Sequence, residues 1–393
     1  MVQNAFSEEI GVSQCKALLF AVLVLLLLAP TGRADESLKV FGYFQSEFFY
    51  DRTDFEDQRR TSFVLQHLNL LLQKNLADHW SSYVNFEFTN SYNSSKDWGS
   101  FNIQEAWLLY RYDNRLNLKL GQQIPIFNNL NEIKNRTPLL PYIIRPVVYE
   151  SSLEDVISLD QYVPNRAYVQ AYGFLPIGRA KLDYAAYIGN SPNINSDTAA
   201  GQTGVDTTDT FLFGGRVGVR CKELKFGFSG SYDESNYLYN LVVNNGYSIS
   251  EGREIDRYRV AADLSYRWQR FFFEAEYIKV IYNDRGPEVD LDLEFFYATL
   301  GCDLTDRLLL YGSYVSTQEQ ALFILQEQGL TGETLKIDED LTLRIPTGGI
   351  AYRISDRITA KAQYARVRVS IDDPSFRQVL HENYYALAIS AFF

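Results

Sequence analysis

Basic side chains recur at alternate positions along several stretches of this chain: Arg216, Arg220 and Lys225 lie close together, and Arg257 and Arg259 stand two residues apart. On an extended strand alternate side chains share a face, so this spacing lines one surface with fixed positive charge. Lys119, Arg166, Lys181, Arg267, Arg344 and Arg353 take the same parity on their own segments. Such a wall attracts and orients anions without reacting with them. Acids on that face are fewer: Glu47, Glu87, Glu105, Asp183, Asp263, Glu274 and Glu276. A second set of charges falls in the irregular segment 124–164, where Glu132, Glu150, Glu154, Asp155 and Asp160 outnumber Lys134, Arg136 and Arg145. If the acids of that segment oppose the basic wall, a transverse field crosses the space between them. Taken singly, each is equally well a solvated loop residue.

Bond-making chemistry finds little material. The three histidines are His67, mid-strand beside Asn69, His79 in a turn and His381 in a loop. No serine elbow or metal-ligand spacing accompanies them, so no enzyme, metal or cofactor is expected. Gly214, Gly215 and Gly218 resemble a phosphate-cradling loop, but no helix follows them, and easing strand packing is the simpler role.

The elements that must carry the charges follow a two-beat rhythm. Segments of about ten residues with alternating polarity are joined by a short turn, then a long loop, then a short turn again. Long connections fall at 51–61, 90–100, 124–164, 191–209, 233–255, 283–291, 318–340 and 372–381. Short ones fall at 74–79, 113–115, 176–179, 222–223, 269–270, 303–306 and 355–356. They separate sixteen strands. An even count, with long loops at one end and short turns at the other, predicts an all-β fold: a closed antiparallel transmembrane barrel wide enough to hold water. No linker divides the chain, so the barrel is one domain, 35–393.

Three strands alternate without exception. Tyr258, Val260, Ala262, Leu264, Tyr266 and Trp268 oppose Arg257, Arg259, Ala261, Asp263, Ser265 and Arg267; segments 180–188 and 224–232 behave likewise. A soluble sandwich also alternates, but its strands are typically ~5–6 residues long, about half the length found here. In the fourteenth strand Leu341, Leu343 and Ile345 suit lipid, whereas Ile350 and Tyr352 have the other parity, which predicts a bulge near Pro346, Gly348 and Gly349. A similar shift is expected in the fifteenth, because Arg366 and Arg368 would otherwise face hydrocarbon at ~2–4 kcal/mol each. The long segment 124–164 holds Pro125, Pro138, Leu139, Leu140, Pro141, Ile143, Ile144 and Pro146, a composition suited to folding inward against something apolar.

At the front, the apolar run 17–29 follows Lys16 and precedes Gly32 and Ala34. It is too short to span a bilayer and fits a cleaved secretory signal, residues 1–34, although Glu8 and Glu9 make its start unusually acidic. Cys221 and Cys302 lie on different strands, both outward, and no disulfide is expected. The net charge of −12 argues against nucleic acid as a partner. Tyr385, Leu387, Ile389, Ala391 and Phe393 share a face, and the aromatic at the C-terminus resembles the signal read by the outer-membrane assembly machinery.

Gln104, Glu105, Ala106 and Trp107, then Leu120, Gly121, Gln122, Pro125 and Phe127, and later Arg145 and Pro146, resemble the phosphate-selective porins O and P and related Gram-negative porins over about residues 100–190. The resemblance implies a sixteen-stranded passive channel in the outer membrane, trimeric, surrounded by lipid and lipopolysaccharide, with an inward third loop. Segment 124–164 lacks an obvious basic ladder, so phosphate specificity does not follow. The expected function is a diffusion channel for ions and small hydrophilic solutes, with anion preference from Arg166, Lys119 and the cluster 216–259. The alternative is a plugged barrel that binds external ligands through its loops.

Overall fold

The computed structural model describes residues 38–53, 59–133, 136–149, 162–191, 210–235, 255–283, 289–326, 334–373 and 376–393. The expected signal peptide, together with Lys134, Glu150, Glu154, Asp155 and Asp160, lies outside them.

Among the described residues there are sixteen strands: β1 (Lys39–Thr53), β2 (Arg59–Ala77), β3 (Trp80–Asn93), β4 (Trp98–Arg111), β5 (Asn117–Gln123), β6 (Ala167–Ile177), β7 (Ala180–Asn190) and β8 (Phe211–Cys221), then β9 (Leu224–Ser235), β10 (Ile255–Trp268), β11 (Phe271–Asn283), β12 (Val289–Asp303), β13 (Leu308–Gln326), β14 (Thr334–Ser355), β15 (Ile358–Asp373) and β16 (Phe376–Phe392). Each pairs with its sequence neighbours, and β1 pairs with β16 to close the barrel. Closure leaves no edge strand, as an apolar solvent requires. At the seam Gly42 and Phe393 exchange both backbone hydrogen bonds at 2.9 Å. The C-terminal residue thus helps close the cylinder.

Several strands outrun the ten residues that hydropathy suggests: β14 has 22 residues, and β2 and β13 have 19 each. Much of the expected connection 318–340 is therefore hairpin. Backbone pairing continues into water regardless of side-chain polarity, and residues such as Asp338 and Asp340 hide it from a hydropathy reading.

Alternation holds on β7, β9 and β10, where Val260, Tyr266 and Trp268 are exposed outside while Arg257, Arg259 and Asp263 are buried inside. The bulge expected near Pro346 does not occur. β14 keeps one register with β13 throughout, and one with β15 from Asp340 to Arg353. Leu343 and Ile345 consequently face inward and are buried, while Arg344 is outside. β15 does not shift either: Val367 and Val369 face in, and Arg366 and Arg368 face out and are exposed. The cause is an apolar core inside the barrel. Phe127, Leu130, Val147, Val148, Tyr149, Tyr162 and Val163 of the third loop pack on Ile278, Val280, Leu293, Phe295, Val315, Leu343, Ile345 and Ala365 of β11 to β15. On these strands the inward face carries an apolar patch of its own, beside the buried polar residues Glu276, Lys361 and Gln363.

Candidate functional site

The inward loop departs where β5 stops after only seven residues. Gly121 makes the departure possible: its φ of 118° is in the left-handed region, and a Cβ there would lie 2.4 Å from the Ala106 carbonyl oxygen. The loop then crosses the lumen in single 3₁₀ turns at Asn131–Ile133, Thr137–Leu139 and Val147–Tyr149.

Wall residues fix it by hydrogen bonds that accept from its N–H groups and donate to its carbonyls. The N–H groups of Asn129 and Leu130 donate to Glu276 Oε1 at 2.9 and 3.0 Å, and the Tyr149 hydroxyl donates to Glu276 Oε2 at 2.6 Å. Asn128 N–H donates to Ser229 Oγ at 3.0 Å. On the opposite wall the N–H groups of Ile143 and Ile144 donate to Gln363 Oε1 at 2.7 and 3.1 Å. Lys361 Nζ donates to the Tyr142 carbonyl at 3.0 Å, and Gln45 Nε2 donates to that of Ile143 at 3.1 Å. Arg145 reaches His67, with 3.4 Å between Nη2 and Nε2. Burial raises the phenol pKa values of Tyr142, Tyr149 and Tyr162 well above 10, which keeps these loop hydroxyls as neutral donors.

The expected basic wall is present on β8 to β10, but its charges are matched inside the wall. Arg257 grips Asp233 in a fork, Nε to Oδ1 at 2.7 Å and Nη2 to Oδ2 at 2.8 Å. Arg259 Nη1 donates to both oxygens of the same carboxylate at 3.1 Å. Arg257 and Arg259 are 0% and 1% exposed. Arg216 forks onto Asp263 at 2.9 and 2.6 Å, its guanidinium lying over Gly227, where a Cβ would come within 2.3 Å of it. The glycines on these strands therefore make room for side chains: Gly214 sits under the Tyr187 ring and Gly218 beside Arg216.

The remaining expected residues divide by depth. Lys119 is inward, buried against the rings of Trp107 and Tyr172 at 5.1 and 5.3 Å, and pairs with Glu132 at 3.3 Å. Glu132 therefore faces Lys119 on β5, away from the arginines of β8 to β10. Arg166 is exposed immediately before β6, and its neighbour Ala167 is the buried residue. Arg220, with its side chain 50% exposed, pairs with Asp183, and Lys181, Lys225 and Arg353 are exposed at the short-turn end. Arg267, 53% exposed, pairs with Asp303 at 2.8 Å. A cavity of 440 Å³ opens at this end between loop residues 138–141 and a rim that includes Arg267, Asp303 and Arg353.

Asp233 is the functional residue that the hydropathy pattern missed, since it falls at the start of an expected loop. The signal was available: Lys225, Gly227, Ser229 and Ser231 share its parity, and β9 runs on to Ser235.

Compared with known proteins, residues 21–372 match the family model for Gram-negative porins. The chain belongs to the Gram-negative porin family. No curated protein matches it in sequence. Among solved structures, the porin is similar to an anion-selective porin from Comamonas acidovorans, at 12% identity and a TM-score of 0.57, covering 91% of this chain and 99% of that one. It is similar also to the outer membrane channel DcaP of Acinetobacter baumannii, at 12% and 0.56, covering 93% and 100%. A Salmonella typhi OmpF complex with daunomycin matches at 10% and 0.55, covering 91% and 98%. At these identities the structural likeness carries the fold. With the family it places the porin in the outer membrane as a passive diffusion channel for ions and small hydrophilic solutes. The family match is to Gram-negative porins at large, not to the phosphate-selective O and P branch.

Proposed function

We propose that this porin passes small hydrophilic solutes through a narrow path on the β4 to β8 side of its third loop, with a modest preference for anions. The observation that carries this reading is the distribution of accessible charge. The loop side toward β11 to β15 is buried, whereas Glu132 is 37% exposed and Arg136 is exposed. Solutes that clear this point meet Lys181, Arg220, Lys225, Arg267 and Arg353, against Asp183, Glu274 and Asp303, at the short-turn mouth. Exposed fixed charge of one sign raises the local concentration of counter-ions. Arg257 and Arg259, closed on Asp233, contribute little to that field.

The reading extends to the chain as a whole. Residues 1–34 act as the signal, cleaved after Ala34, the assembly machinery reads the C-terminal aromatic, and the barrel assembles as a homotrimer. A Vibrio cholerae outer membrane protein of similar fold is known in a trimer form. The loop's crossing to β1 and β16 also favours a second reading, a plugged barrel that binds ligands outside. Reversal potentials in planar bilayers under a salt gradient test both. An anion-side reversal potential that moves toward zero in Lys181→Gln/Lys225→Gln supports the channel reading. A cation-side potential removes the anion preference, and the absence of any steady open level favours the plug.

A further inference from the structure

With β14 and β15 held in one register, Arg344, Arg366 and Arg368 stand exposed on the outside of the barrel. Arg344 lies directly opposite Arg368, and Arg366 is one outward step below Arg368. The register continues the row: Arg366 is opposite Asn383, Asn383 opposite Arg52, and Arg52 opposite Arg59. One exterior strip from β14 to β2 thus gathers five arginines. Like charges directly opposed across a strand pair repel, yet among the described residues none of Arg344, Arg366 and Arg368 has an acidic partner. Exterior charge elsewhere is handled differently. On β11 and β12, Lys279 pairs within the chain with Asp292 at 2.8 Å and with Glu294 at 3.4 Å.

The strip has a defined depth. Just below it Tyr364, Tyr385 and Tyr50 form a ring-to-ring row, with centroids 4.9 and 6.0 Å apart. From Tyr385 down to Phe393 the outward residues are Leu387, Ile389 and Ala391, spanning ~26 Å along the strand at about 3.3 Å per residue. At a strand tilt of about 40° that is ~20 Å of height, most of an apolar band about 25 Å tall between two aromatic girdles. The arginines lie immediately beyond the girdle at the long-loop end, where lipid headgroups begin and exposed charge costs only ~0–1 kcal/mol. Asp340 stands opposite Asp372 two outward steps further from the membrane, beyond Thr342 and Ser370.

We propose that this strip is a docking site for the phosphorylated headgroups of outer-leaflet glycolipid. Guanidinium groups fork onto phosphate oxygens, so one phosphate between Arg344 and Arg368 relieves their repulsion, while the tyrosines beneath receive the start of the acyl chains. The inference rests on the outer-membrane location and is independent of what the channel conducts.

The test titrates detergent-folded porin with bis-phosphorylated lipid A and, separately, with dephosphorylated lipid A, and reads bound lipid by native mass spectrometry. The wild type should bind the phosphorylated form at least tenfold more tightly, and rising salt should weaken that binding. Arg344→Gln/Arg366→Gln/Arg368→Gln should lose the preference and keep its single-channel conductance. Equal binding of the two lipids by the wild type overturns the proposal. So does a triple variant that keeps full preference, including one whose only change is in oligomeric state, which would mark the strip as a contact between copies. If the triple variant fails to fold, the wild-type comparison together with Arg366→Gln/Arg368→Gln decides by the same criteria. A lipid preference in a barrel that conducts nothing would sink the channel reading and leave this one standing.

Discussion

The inner faces of β8 to β10 and of β11 to β15 belong to one continuous sheet, yet they handle burial in opposite ways. On β8 to β10 the buried groups are ions, Arg216 with Asp263, and Arg257 and Arg259 sharing Asp233. On β11 to β15 most are apolar, Ile278, Val280, Leu293, Phe295, Val315, Leu343 and Ile345, covered by the loop. Alternation fixes which side chains point inward, but what waits inside decides their polarity. Where the third loop's apolar side chains dock, the lumen face becomes a protein core. Where they do not, polar groups remain and must find partners.

The largest expected effect falls on the ionic wall. Asp233→Ala leaves two buried guanidinium groups without their shared carboxylate, and losing one partner of a buried ion pair costs about 3–5 kcal/mol. Urea unfolding of the porin in lipid vesicles should show a loss of that order. A loss below about 1 kcal/mol would mean that water already reaches the pair. On the loop-docking wall, Glu276→Ala strands the N–H groups of Asn129 and Leu130 and the Tyr149 hydroxyl. Each unsatisfied buried group costs about 1–3 kcal/mol, enough to loosen the loop. Single-channel recordings should show a larger and noisier open level, and an unaltered level would mean that apolar packing alone holds the loop.

A smaller effect separates buried from accessible charge. Arg257→Ala/Arg259→Ala should lower stability and leave the reversal potential nearly unchanged, whereas Lys225→Gln should move it toward the cation side with stability intact. The opposite pattern would put the β8 to β10 arginines in the conducting path.

Much of this architecture was legible in the sequence. Strand number, closure by β1 and β16, the inward third loop and the inward parity of Lys119, Arg216, Arg257 and Arg259 all follow from local alternation and connection length. Two kinds of feature were not. Partner identity depends on register: Asp233 pairs with Arg257 only because β9 continues three residues beyond Tyr232. Face assignment on β14 and β15 depends on the loop. Leu343 and Ile345 look lipid-facing to any rule that takes apolar to mean outward, and the groups that make them inward lie about two hundred residues earlier, at Val147 and Val148. The expectation of a bulge at Pro346 followed from that rule, and the unbroken register removes it.

The central claim is that water and solutes pass on the β4 to β8 side of the loop, while the β11 to β15 side is closed. Cysteine accessibility tests it directly, with Cys221 and Cys302 first changed to Ser. Glu132→Cys and Arg136→Cys should react within seconds with a charged, water-soluble thiol reagent and lose current as they do, while Leu293→Cys and Val315→Cys remain unmodified in the folded porin. Rapid modification and block at Leu293 and Val315, with Glu132 and Arg136 protected, would contradict the account.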